Sequence, residues 1–191
     1  LYPNHPNVSY AYYLRALSNF DKDANIISRF FGHDPSRYDV TDLKNSFNDF
    51  TTVVNRFPDS KYADDSINRL RYIKNQIARN ELYIAKYYDK RSANIAAIER
   101  IKYMLENYGG TPSSEEGLVI LVKNYNDLKL YDLAYDSARV LKKNFPDYRI
   151  IKKDRQVSVI KDKKIKVEDE ISEDIENDSS WLNKLNPLNW F

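Results

Sequence analysis

The chain has 191 residues, a net charge of +2, four glycines, seven prolines, two histidines and no cysteine. That length suits one domain or a short repeat array, and the missing cysteine excludes a disulfide framework, a thiolate metal site and a cysteine nucleophile. His5 and His33 stand too far apart in sequence to suggest a paired site, and Gly32, Gly109, Gly110 and Gly117 are too scattered for a phosphate loop. The small net charge makes no case for nucleic acid, and no apolar run approaches the ~18 residues of a membrane span.

Taken in chain order, the pattern is helical. Pro6 precedes a first helical run over about residues 8 to 20, in which Tyr10, Tyr12 and Tyr13 cannot all face inward. A surface near Tyr10 to Leu17 is therefore expected to be apolar and exposed. A connection of about twenty residues follows, holding Phe30-Phe31-Gly32-His33-Asp34, Pro35 and Arg37. Its two phenylalanines either contact a partner or plug the seam between adjacent helices, and His33 reads as a surface residue. Leu43, Phe47, Phe50, Val54 and Phe57 then step by 4, 3, 4 and 3, one face of a helix that must end at Pro58.

Asp59-Ser60 is the expected N-cap of a long helix from Lys61 to about Lys90, with a bend near Arg79-Asn80. Ile98, Ile101, Leu105 and Tyr108 form the next stripe, ended by Gly109-Gly110, and Ser113-Ser114 is expected to cap the helix after it. Leu118, Leu121, Val122, Tyr125 and Leu128 form another stripe. Ala134, Ala138, Leu141 and Phe145 form the last, ended by Pro146.

The breakers share a spacing. Twelve, eight and five positions before Pro58 stand Ser46, Phe50 and Val53; before Gly109, Ala97, Ile101 and Met104; before Pro146, Ala134, Ala138 and Leu141. A small residue, a second core residue, an apolar residue and a breaker mark the second helix of a tetratricopeptide repeat. Tyr88 and Tyr125, 21 positions before Gly109 and Pro146, suit its first helix. The fold class is all-α, a tetratricopeptide-like helical-hairpin array (α-solenoid) over residues 1–149. A plain helical bundle would explain the stripes but not the repeated spacing. Tyr87, Tyr88, Tyr103, Tyr108 and Tyr125 are expected mostly to pack between helices with their hydroxyls toward water. Such arrays bind partners on their faces, so the default function is a binding module.

Residues 150–191 differ in composition. Residues 152–166 carry seven cations and two acids, and residues 168–178 carry seven acids and no cation. Charge blocks of this kind predict a solvated, largely irregular segment. The competing reading is a small hairpin of Val157, Val159, Ile165 and Val167 turning at Asp162-Lys163, or a strand added to a partner's sheet. Trp181, Leu182, Leu185, Leu188, Trp190 and Phe191 close the chain with six large apolar groups in eleven residues. They predict a docking segment, for a partner or for the array's own groove. The final Phe191 also suits mimicry of a barrel-strand signal, against which Pro187 argues. The basic block permits contact with anionic lipid or nucleic acid, and the adjacent acids would screen it.

Several segments carry a more specific likeness. Asn4-His5-Pro6-Asn7, Arg29-Phe30-Phe31-Gly32-His33-Asp34, Phe57-Pro58-Asp59-Ser60-Lys61-Tyr62-Ala63-Asp64-Asp65 and Ala85-Lys86-Tyr87-Tyr88 resemble the BamD (ComL) family, over about residues 3 to 148. These are helical-repeat lipoproteins of the outer-membrane β-barrel assembly machinery. Gly109-Gly110 departs from the proline and polar residue usual there, and the residues after 150 lie outside the resemblance.

The resemblance implies five repeats on the periplasmic face of the outer membrane, tethered by an N-terminal lipidated cysteine. The chain opens on Leu1 rather than Met, and the likeness places that start within the second repeat. Lipid anchor and first repeat are thus expected upstream. The implied function is a non-catalytic scaffold without cofactor that binds the POTRA region of the barrel-forming subunit. Accessory lipoproteins and unfolded outer-membrane precursors are the other implied partners. Glu115, Lys123, Asn126, Asp127, Lys129, Leu130 and Tyr131 are the candidate POTRA contact, while Phe30, Phe31, His33 and Arg37 are candidates for precursor or lipoprotein. Another periplasmic adaptor, linked to peptidoglycan or secretion, is the alternative role. An enzyme is disfavoured, because adjacent acids such as Asp64-Asp65 or Glu115-Glu116 diverge by ~100° on a helix.

Overall fold

A computed structural model describes residue 5, residues 7–23 and residues 39–162. Among these, six helices precede one β-hairpin: α1 (Val8–Asp23), α2 (Thr41–Arg56), α3 (Ala63–Lys90), α4 (Asn94–Tyr108), α5 (Ser113–Asp127), α6 (Tyr131–Asn144), β1 (Tyr148–Lys153) and β2 (Gln156–Lys161). The fold is the tetratricopeptide-like helical repeat that the breaker spacing predicts. α2, α4 and α6 stop at Arg56, Tyr108 and Asn144, one or two residues before Pro58, Gly109 and Pro146. All nine residues counted back from those breakers are fully buried, Ser46, Ala97 and Ala134 included. Each large side chain among them contributes roughly 1.5–3 kcal/mol by leaving water.

The chain divides into two compact units after Asn80, inside α3, which runs unbroken through the expected bend. In the first unit α1 lies against α2 where Ala16 meets Ser46, whose Oγ donates to the Ala16 carbonyl at 2.9 Å. Beside that contact the Arg15 guanidinium grips the carboxylate of Asp49. Tyr62 stacks on Tyr10 and Tyr13, and Tyr12 packs near Phe57. The Tyr13 hydroxyl donates to Asp65 at 2.7 Å. Tyr10 and Leu14 are exposed.

In the second unit α4 pairs with α5 and α5 with α6. Gly117 brings α5 so close to α4 that a Cβ there would lie 2.5 Å from the Met104 methyl. Glu81 is buried and accepts from Arg100 at 3.2 Å. Tyr108 is buried, but Tyr87 and Tyr103 are exposed, and Tyr87 lies under the Arg91 guanidinium.

Three local expectations need correction. Ser60 does not cap α3; its Oγ is buried without a partner among the described residues, while its own carbonyl accepts the Ala63 N–H. Ser113 is already inside α5, whose N-cap is Pro112 with no side-chain bond. The third concerns residues 148–161, expected from residue 150 on mainly as irregular chain. They form an antiparallel hairpin in the register Tyr148↔Lys161 to Lys153↔Gln156, turning at Asp154-Arg155 instead of Asp162-Lys163. Asp154 takes φ 55°, a left-handed value that aspartate tolerates and that suits strand twist in a tight hairpin. The hairpin persists because its inner face has somewhere to go: Val157 is buried with Val122, Ala134 and Ala138.

Lys74, on α3, is 7% exposed, and burial lowers its ammonium pKa from 10.5 to about 8. Between those values the unfolded chain binds more protons than the folded one, so stability rises with pH from about 8 to about 10. Lys74→Met is expected to add about 1–3 kcal/mol at neutral pH and to flatten that rise, as urea unfolding at about pH 7 and pH 9.5 would measure.

Candidate partner-binding site

The turn between α5 and α6 is built by backbone bonds that close α5 tightly. Leu128 N–H donates to Asn124, Lys129 N–H to Asn126 and Leu130 N–H to Tyr125, at 3.2, 2.9 and 2.9 Å. Lys129 consequently takes φ 61°, a left-handed position usually given to glycine or asparagine after a helix. Holding a lysine there costs about 1 kcal/mol, and its side chain stays exposed. Leu130 is 45% exposed and opens α6 together with Tyr131.

The expected contact residues do not form one cluster. Lys129, Leu130 and Tyr131 line a common groove, and Asp127 is exposed on the same turn. Lys123 instead pairs with Asp89 at 2.7 Å, an oxygen that also accepts from Asn124. Asn126 faces the hairpin: its Nδ2 donates to the Val157 carbonyl at 2.6 Å, and its Oδ1 accepts the Val157 N–H at 3.0 Å. Glu115 stands eleven residues back along α5, roughly 17 Å at 1.5 Å per residue. It accepts from Lys161 and from the Tyr148 hydroxyl. The Lys161 ammonium, helped by Tyr148, holds its carboxyl below the usual range despite partial burial. Asn126 and Glu115 are therefore the two clamps that fasten the hairpin along α5. Phe30, Phe31, His33 and Arg37, and the segment from Trp181 to Phe191, lie outside the described residues.

The hairpin completes a groove of about 610 Å³ beside the turn. Leu130, Leu133, Tyr131 and Tyr135 supply its apolar lining, and Lys129, Lys152, Arg155, Asp132 and Asp154 its charged lining. The Lys152 ammonium sits 3.3 Å from the centre of the Tyr135 ring, a cation–π contact. Leu133, Tyr135, Lys152 and Arg155 were not among the residues picked from sequence. The alternation Ile150, Lys152, Val157 and Val159 around Asp154-Arg155 is the signal that would have found them. Mixed apolar and charged lining of an open groove suits a polypeptide partner better than a small substrate.

The family described as YfiO, outer membrane lipoprotein, matches residues 1–141. Outer membrane protein assembly factor BamD of Neisseria gonorrhoeae is 40% identical over 146 residues, 76% of this chain and 55% of that protein. The protein of the same name from Xylella fastidiosa (strain Temecula1 / ATCC 700964) is 35% identical over 151 residues, 79% of this chain and 52% of that one. That from Haemophilus influenzae is 37% identical over 139 residues, 73% and 53% of the two chains. The chain thus spans about half the length of the curated relatives it matches.

Asn126→Ala is expected to leave the Val157 N–H and carbonyl without their clamp, at a cost of about 1–3 kcal/mol. Hydrogen exchange should show the Val157 amide losing protection while Ile101 and Met104 on α4 keep theirs. Equal loss at both places would mean that Asn126 supports the helices rather than the hairpin.

Proposed function

The chain belongs to the YfiO family of outer membrane lipoproteins, and from that premise we propose that it is a non-catalytic scaffold of outer-membrane protein assembly. It acts at the periplasmic face of the outer membrane and binds the POTRA region of the barrel-forming subunit through the α5–α6 turn. The observation that carries this reading is the groove where Leu130 and Leu133, each 45% exposed, share the lining with Lys129, Lys152, Arg155, Asp132 and Asp154. An apolar centre with a charged rim is how protein interfaces are built: the apolar groups supply affinity, and the charges set register and association rate.

The rest of the assignment divides by position. The contact narrows to Lys129, Leu130 and Tyr131, with Asp127 at its border, because Glu115, Lys123 and Asn126 are engaged within the fold. Phe30, Phe31, His33 and Arg37 are proposed for precursors or accessory lipoproteins. Trp181, Leu182, Leu185, Leu188, Trp190 and Phe191 are proposed as a separate docking segment. Residues 1–149 form the repeat domain in this reading, and the hairpin of residues 148–161 is joined to it.

The test is affinity of the full chain for the POTRA region of its own organism's barrel subunit. Leu130→Ser is expected to weaken binding by about 10-fold or more, one lost buried anchor. Lys129→Gly is expected to weaken it less, about 2- to 5-fold, without lowering stability, since glycine relieves the left-handed strain. Unchanged affinity in both variants would remove this turn from the interface.

A further inference from the structure

The two turns that frame the groove bring three cations into its lining: Lys129 from the α5–α6 turn, and Lys152 and Arg155 from the tip of the hairpin. Among the described residues none of the three has a carboxylate within ion-pair distance. At the opposite end of the hairpin the cations are matched: Lys161 with Glu115, and Arg149 with Asp162 at 2.6 Å. Asp132 and Asp154 also line the groove, so its lining carries one net positive charge, beside apolar surface that Leu130 and Leu133 expose one helical turn apart.

The described chain stops at Asp162, directly after β2, and 29 residues follow. Glu168, Asp169, Glu170, Glu173, Asp174, Glu176 and Asp178 stand among them, with no cation between, and Ile171 and Ile175 are interleaved with these acids. Reach is sufficient. From Asp162 back to Gln156 the hairpin spans about 20 Å at 3.4 Å per residue. Ile171 is nine residues beyond Asp162, so the chain between them extends up to about 30 Å.

We propose that this groove is the docking site of the chain's own segment Glu168–Asp178. Its carboxylates pair with Lys129, Lys152 and Arg155, and Ile171 and Ile175 lie on Leu130 and Leu133. Each exposed pair is weak and is screened by salt. Covalent attachment offsets that weakness, because a tethered segment meets its site at an effective concentration on the order of millimolar. The docked segment covers Lys129 and Leu130, so it competes with any partner that uses this turn. That last consequence rests on the function proposed above; the docking itself does not.

The chain has no cysteine, so Ser172→Cys gives the full-length protein a single thiol for a nitroxide label. At about 20 mM salt, amide signals of residues 129–133 and 152–155 are expected to lose about half their intensity or more, and to recover at about 0.5 M salt. Recovery is also expected at low salt when Glu168, Glu170, Glu173 and Asp174 are changed to their amides. Full intensity at low salt, or broadening centred on another face, would overturn the proposal and leave the groove to a partner's acidic segment. Broadening that survives both salt and neutralisation would overturn the electrostatic part.

The neutralised chain is further expected to bind the POTRA region about 3- to 10-fold more tightly, because its competitor is gone. Equal affinity would refute the competition. Absence of POTRA binding in both chains would sink the functional reading while leaving the label result intact.

Discussion

The close approach of paired helices at one small residue governs the rest of this fold. Helices normally pack 8–10 Å apart, and the side chains at the crossing set that distance. At Ser46 the crossing is tight enough for the hydroxyl to reach the carbonyl of Ala16 on the neighbouring helix. At Gly117 there is no room even for a methyl group beside Met104 and Ile101. Once the helices are held this close, the residues four and seven positions beyond each small residue have no path to solvent. Phe50 with Val53, Ile101 with Met104, and Ala138 with Leu141 are accordingly all sealed. The breaker then ends the helix before the stripe rotates out of the seam.

That constraint is local, which is why the helical part of the chain was legible in its sequence. Small residue, core residue and breaker lie within twelve positions of each other, and the same spacing recurs in α2, α4 and α6. The features that escaped reading are long-range. Asn126 looks like a polar turn residue, yet its amide completes the backbone bonds of Val157, 31 positions away. Glu115 looks like a helix-start acid and instead receives Lys161, 46 positions away. The hairpin is legible only as a competing reading with its turn misplaced, because six of its strand residues are Lys or Arg or their polar neighbours Gln and Ser, and the burial of Val157 depends on Val122, Ala134 and Ala138 of the helices. The missing cap is a local exception, since the carbonyl of Ser60, not its hydroxyl, accepts the Ala63 N–H.

The clamps explain how a two-stranded hairpin survives, since an isolated one is marginal in water. β2 is fastened to α5 at both ends, by Asn126 at Val157 and by Glu115 at Lys161. Four strand residues cover roughly 14 Å, close to the 17 Å that separates the two anchors along the helix. Between the clamps the apolar side chains of Val157 and Val159 pack against Val122, Ala134 and Ala138. A hydrogen-bonded clamp at one end, a charged one at the other and apolar contact between them fix both register and face.

One departure from the repeat ties this packing to the site. Where α2 and α4 carry Phe50 and Ile101, α6 carries Ala138, fully buried but small. A large residue there would occupy the space that Val157 fills, and the hairpin would lose its seat. With the hairpin seated, Lys152 and Arg155 arrive beside Lys129 and Leu130, and the bare α5–α6 turn becomes a walled groove. A small residue in place of a bulky one at position 138 therefore acts about 20 residues further along the chain, by deciding what may pack on the last helix pair. The groove is a product of where the repeat pattern relaxes, and its charge is set by the hairpin, not by the helices that the pattern defines.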